Sequence, residues 1–133
     1  MTALVVDDSS IARIHLRHVL QKLNLDVYEA GDGKQALELL RSGLQADVIL
    51  LDWSMPGMDG DEVLSALRAD RRFDSIRVVM VTTESDVGAV TRALDHGADE
   101  YVMKPFTPQI IIDKMRMLQA REITRTLSRQ AGR

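Results

Sequence analysis

Ala3-Leu4-Val5-Val6-Asp7-Asp8 near the start of the chain and Val48-Ile49-Leu50-Leu51-Asp52 further along share one form, four aliphatic residues closed by aspartate. Apolar runs this short, bounded by polar residues, read as strands buried on both faces. If the two runs are neighbours in one parallel sheet, Asp7, Asp8 and Asp52 meet at one edge. Three carboxylates that close repel one another strongly in a low-dielectric setting, so a divalent cation is their natural neutraliser. An all-oxygen donor set suits Mg2+. Two further runs end in the same manner, Val78-Val79-Met80-Val81 in Thr82-Thr83 and Tyr101-Val102-Met103 in Lys104-Pro105. The edge therefore gathers acids, a hydroxyl and an ammonium.

Outward from these runs, short apolar stretches alternate with segments of helical period, the pattern of βαβ units. Strands are expected at 2–7, 26–30, 47–52, 77–82 and 99–104, with helices at 10–23, 33–42, 60–70, 86–96 and 107–129. Ala12, Leu16, Val19, Leu20 and Leu23 share one face of the first helix, and Ala36, Leu37, Leu39 and Leu40 one face of the second. Ser9 or Ser10, Asp32, Asp59, Ser85 and Thr107 can cap the helix starts, and Pro108 fits a first helical position. Gly43 and Gly97 suit left-handed helix stops. In an open parallel sheet, ligands bind beyond the carboxyl ends of the strands, and all of the chemistry lies there. The spacing agrees: Asp52 follows Asp7 by 45 residues, about two strand-helix units, and Thr82 and Lys104 follow at 30 and 22, about one each.

The 133 residues, 45% of them hydrophobic, suit one α/β domain with a single core. No cysteine is present, which excludes disulfides, a thiolate nucleophile and cysteine-ligated zinc. The aliphatic runs are far shorter than the ~18 residues needed to span a bilayer, and a cytoplasmic protein without membrane insertion is expected. A formal charge of −3 argues against nucleic acid as a direct partner. His15 and His18 on the first helix read as a solvated face, and His96 as a cation near a helix C-terminus.

Asp7-Asp8, the segment Asp52-Trp53-Ser54-Met55-Pro56-Gly57-Met58-Asp59-Gly60, Thr82, Tyr101 and Lys104-Pro105-Phe106 together resemble the receiver domain of two-component response regulators, in order and in spacing. The resemblance covers about residues 2–120 and is greatest to the stand-alone chemotaxis type. It implies a flavodoxin-like, doubly wound sheet of five parallel strands in the order 2-1-3-4-5, flanked by five helices. It further implies that Asp52 accepts a phosphoryl group from a phosphohistidine on a sensor histidine kinase or phosphotransfer protein. Asp8, Asp52 and the Ser54 carbonyl would hold Mg2+, with Asp7 acting through water, while Lys104 and Thr82 contact the phosphoryl group. Such a protein is no enzyme beyond its own phosphorylation and dephosphorylation. Thr82 and Tyr101 would form the switch, and Ser54 and Glu84 would set the lifetime of the modified state. A cis Lys104-Pro105 bond is expected. Matching also puts Val87, Val90, Leu94, Tyr101, Met103 and Met117 on a face open to a downstream protein target or a second copy.

Residues 1–120 are expected to form the receiver and 121–133 a basic extension of the last helix. From Lys114 to Arg133 there are six basic residues and one acid, Glu122. Arg121, Arg125 and Arg129 make one stripe, and Ala120, Ile123 and Leu127 another. A solvated helix end, a dimer contact or a lead into an output domain all fit, and a receiver excised from a larger regulator or a binding-only receiver are the alternatives to a complete switch. A phosphohydrolase with an aspartyl nucleophile would want a second acid where Ser54 stands. A flavin carrier would want an anion-friendly loop where Asp7-Asp8 stands.

Overall fold

The structure, a computed structural model, describes residues 1–83 and 87–131; the expectations for Glu84 and Ser85, and for the side chain of Val87, lie outside the described residues. Five parallel strands, β1 (Thr2–Val6), β2 (Asp26–Ala30), β3 (Val48–Asp52), β4 (Arg77–Thr83) and β5 (Glu100–Lys104), lie in the order β2-β1-β3-β4-β5. Between and after them run α1 (Ser10–Lys22), α2 (Gly33–Arg41), α3 (Gly60–Arg68), α4 (Val87–Asp95) and α5 (Pro108–Ala131). The parallel βαβ arrangement expected from the alternation is present, with the doubly wound strand order that the resemblance implies.

Alternation along the strands explains the two cores. Leu4, Val6, Ile49, Leu51, Val78 and Met80 pack with α2 and α3 on one face, while Ala3, Val5, Val48, Leu50, Val79, Val81 and Val102 pack with α1 and α5 on the other. All five residues of β3 are buried, as a central parallel strand requires. The helix starts follow the expected chemistry. Ser9, rather than Ser10, accepts from Ala12 N at 3.3 Å, Asp32 from Gln35 N at 2.7 Å and Asp59 from Glu62 N at 2.9 Å. Gly43 and Gly97 have φ of 116° and 107°, the left-handed stops anticipated for them.

Two features were not anticipated from the sequence. Asn24 takes a left-handed φ of 64° after α1, a conformation its short side chain tolerates. A 3-10 turn at Arg71–Phe73, capped by Asp70, follows α3. The last helix stays in contact with the core only as far as Leu118, and every described residue from Gln119 onward is exposed.

Candidate functional site

Strand register brings the polar residues together. Val6 pairs with Leu51, so Asp7 falls level with Asp52 just beyond the end of β1. Asp52 pairs with Val81, and Thr82 with Met103, which places the hydroxyl and Lys104 a step further along the same edge. Asp7, Asp52 and Lys104 share the parity of the face covered by α1 and α5, whereas Thr82 and Tyr101 share the parity of the opposite face. Thr82 is buried, and its recorded bond is a long 3.5 Å donation to the Thr83 carbonyl. That hydroxyl is only weakly engaged.

The carboxylates cluster as the register requires. Asp7, Asp8 and Asp52 each offer an oxygen, and these atoms lie within 4.8 Å of one another. Asp7 and Asp52 are buried and Asp8 is exposed, so the group opens outward past Asp8. Lys104 Nζ lies 2.8 Å from Asp7 Oδ2 and 3.6 Å from Asp52 Oδ1, and the Lys104-Pro105 bond is cis. Ser9 N donates to Asp7 Oδ1 at 2.9 Å, so both Asp7 oxygens already have a partner.

Burial, reinforced by the neighbouring Asp7 charge, raises the pKa of Asp52 to about 6, against the opposing pull of Lys104 and of the Ser54 backbone N–H. Burial also opposes the charge of Lys104. Its hydrogen bond to Asp7 and the charge of Asp52 outweigh that penalty and hold its pKa above the usual lysine value. A buried pair of acids at one ammonium is short of positive charge. A hard cation meeting Asp8 and Asp52 from the open side would supply it, so the donor set fits Mg2+.

The loop after β3 is held close by Gly60. Its N–H donates to the Trp53 carbonyl at 2.9 Å, and a β-carbon there would collide with the Asp52 carbonyl and the Trp53 backbone. Only glycine lets α3 start so near the acid. Trp53 is half-buried beside Asp52, and the guanidinium of Arg92 on α4 stands 5.8 Å from its ring centroid. Ser54 is exposed at the mouth.

Among the remaining sequence candidates, Tyr101, Met103 and Val90 are half-buried, while Leu94 and Met117 are 43% and 42% exposed. His15 and His18 are exposed and contribute to no metal-capable group among the described residues. His96 has a more specific partner than the helix end, since its Nδ1 lies 2.6 Å from Asp61 Oδ1. Arg13 was not anticipated from the sequence. Its guanidinium donates to the Asp7 carbonyl and pairs with Glu29 at 3.2 Å, which braces the acidic loop. Its place one helical turn after the cap was the available signal.

Residues 3–116 match the response regulator receiver domain. The chain belongs to that family. Among similar proteins, the receiver is 40% identical over 119 residues to chemotaxis protein CheY1 of Helicobacter pylori, spanning 89% of this chain and 96% of that one. Chemotaxis protein CheY of Pseudomonas aeruginosa is 40% identical over 116 residues, spanning 86% and 93%. DNA-binding response regulator MtrA of Mycobacterium leprae is 41% identical over 113 residues, but the receiver spans only 48% of it. In three dimensions it resembles chemotaxis protein CheY4 of Vibrio cholerae, with a TM-score of 0.81 at 31% identity over 87% of this chain and 96% of the other. The Francisella response regulator 1452 receiver domain gives 0.80 at 29%, over 91% and 98%.

Proposed function

We propose that this receiver is a phosphorylation-activated switch, in which Asp52 takes a phosphoryl group from a sensor-kinase or phosphotransfer phosphohistidine and the product changes affinity for a protein target. The observation that carries this reading is the buried Asp52 carboxylate, flanked by Asp7 and Asp8 and facing the Lys104 ammonium at 3.6 Å. With a pKa of about 6, Asp52 is ionised at neutral pH yet poorly solvated, a state that favours attack by its oxygen. The Asp52 oxygen–phosphorus bond forms as the histidine nitrogen–phosphorus bond breaks, and the departing imidazole takes up a proton from water.

Asp8, Asp52 and the Ser54 carbonyl would hold Mg2+, whose chemistry is to neutralise the equatorial phosphoryl oxygens. Asp7, with both oxygens engaged, suits a role through water. Lys104 offers its ammonium to the incoming group, and the weakly held Thr82 hydroxyl can turn to donate another hydrogen bond. Incubation with Mg2+ and a small acyl phosphate is expected to add one phosphoryl group by intact mass. Addition to Asp52→Asn, or undiminished addition after chelation of Mg2+, contradicts the assignment.

Thr82 and Tyr101 share a face on adjacent strands, a route from the acid to the surface of α4, β5 and α5. A new bond to phosphate favours whichever state brings Thr82 inward, and Tyr101 follows into the space released. Thr82→Ala should still accept phosphate, more slowly, while the affinity ratio between the two states, of the order of 5–150-fold in such couplings, contracts. An undiminished ratio, read by target titration, rejects this route.

Ser54 is small and exposed at the mouth, so attacking water has access. Ser54→Met or Ser54→Arg should lengthen the life of the aspartyl phosphate. Equal decay rates across such a series, followed by loss of the phosphoryl mass, remove the role of Ser54. A chemotaxis-type pathway is supported by the likeness to relatives bearing that name.

A further inference from the structure

Tyr101 sits on an edge strand whose outer side is bridged by α5. The ring packs with the core of α2 and α3, on the opposite face of the sheet from the apolar residues of α5, Ile111, Met115 and Leu118. Yet Lys114 of α5 reaches round β5, placing its Nζ 5.0 Å from the Tyr101 ring centroid. A cation over a phenol ring is attracted by the negative face of the ring and gives that ring orientation a preference.

The cation is itself held. Glu100, the residue before Tyr101, pairs through one carboxylate oxygen with Lys114 and through the other with Arg121 at 3.0 Å. Arg121 also donates to the Asp99 carbonyl at 3.1 Å. Arg77 pins the same stretch of helix by its 2.6 Å pair with Glu122 and meets Asp99 at 3.4 Å. Only 12% of the Glu100 side chain is exposed. Burial opposes its charge, but the bonds from Lys114 and Arg121 prevail and hold its pKa below the usual carboxylate value. An ionised acid with two cations on α5 and the switch aromatic as its next residue links helix and ring directly.

We propose that Glu100 and Lys114 are positioning residues for Tyr101, tethering the orientation of its ring to α5. The inference rests on the switch role of Tyr101 proposed above and extends it. Glu100 holds Lys114 over the ring, Lys114 biases the orientation seen here, and Arg121 transmits displacement of the exposed helix end to the same acid. Whatever engages α5 beyond Leu118 then acts on the switch from the side opposite the phosphorylation site. None of these three residues touches Asp52, so acceptance of phosphate is separate from the tether.

The test uses the full chain labelled with 3-fluorotyrosine in a Tyr28→Phe background, which leaves Tyr101 as the one remaining tyrosine. Fluorine NMR then reports the ring environment before and after treatment with Mg2+ and a small acyl phosphate. Lys114→Met is expected to change the ratio of Tyr101 states in the untreated protein by about two- to fivefold. Glu100→Gln should change it in the same direction, and Lys114→Arg, which keeps a cation, should restore the parental spectrum. Intact mass of the same samples should show equal phosphoryl incorporation in all variants. A Tyr101 spectrum in Lys114→Met identical to the parent overturns the tether, as does failure of Lys114→Arg to restore it. A parent that takes no phosphoryl group overturns the switch reading instead, and the untreated spectra still decide whether Lys114 positions the ring.

Discussion

Lys104→Ala is expected to slow phosphoryl incorporation at Asp52 by roughly 10²–10³-fold, comparable to the loss of one preorganised charge-stabilising donor elsewhere. The ammonium lies 2.8 Å from Asp7 and 3.6 Å from Asp52, so its removal takes away both a contact for the phosphoryl group and the counter-charge of two buried acids. Without metal the variant should also lose about 2–3 kcal/mol of stability at pH 7, somewhat less than a fully buried broken pair because Lys104 is 26% exposed. Saturating Mg2+ should recover part of that loss. Denaturant titrations with and without Mg2+ measure it, and an equal loss in both conditions contradicts the charge argument. Any phosphorylated fraction should bind its target no better than the unmodified form. Normal target binding by that fraction removes Lys104 from the switch.

Asp52→Asn is expected to stabilise the metal-free protein at pH 7 by about 1–3 kcal/mol while abolishing phosphorylation. The folded pKa of Asp52, about 6, lies above its ordinary 3.8. A carboxyl raised by folding contributes stability when protonated, fully below the unfolded pKa, and that contribution disappears as pH rises through about 6. Removing the titration should therefore matter little near pH 4 and fully above pH 6 to 7. The same protons compete with Mg2+, so metal affinity should fall as pH drops through this range. A stability difference between Asp52→Asn and the parent that is flat from pH 4 to 7 contradicts the desolvation of Asp52.

The strands were legible because a parallel sheet buries both faces, leaving continuous aliphatic runs whose ends carry the polar groups. The caps at Asp32 and Asp59 were legible because each short side chain acts within three residues of itself. Asn24 was less so, since a left-handed stop needs nothing from its neighbours that a turn would not also supply. The acidic cluster could be read as soon as β1 and β3 were taken as neighbours, for register alone sets Asp7 level with Asp52. The sequence could not show that Lys104 bonds Asp7 more closely than Asp52, because a flexible side chain chooses between two acids by distance. Glu100 with Lys114 and Arg121 went unseen for a related reason. Their separations of 14 and 21 residues carry no periodic signal and become contacts only when α5 folds back along β5.

In the proposed switch, a phosphoryl group on Asp52 alters a face of the molecule away from the acid. Amide NMR of the uniformly labelled protein tests it most directly, with Mg2+ added first and a small acyl phosphate second. Mg2+ alone is expected to move resonances around Asp7, Asp8, Asp52 and Trp53. The acyl phosphate should then move Thr82 and, beyond it, Leu94, Tyr101, Met103 and Met117, none of which should respond in Asp52→Asn. Phosphoryl incorporation confirmed by mass with resonances changed only around the acids, and the α4, β5 and α5 residues unmoved, would rule out a switch driven by Asp52.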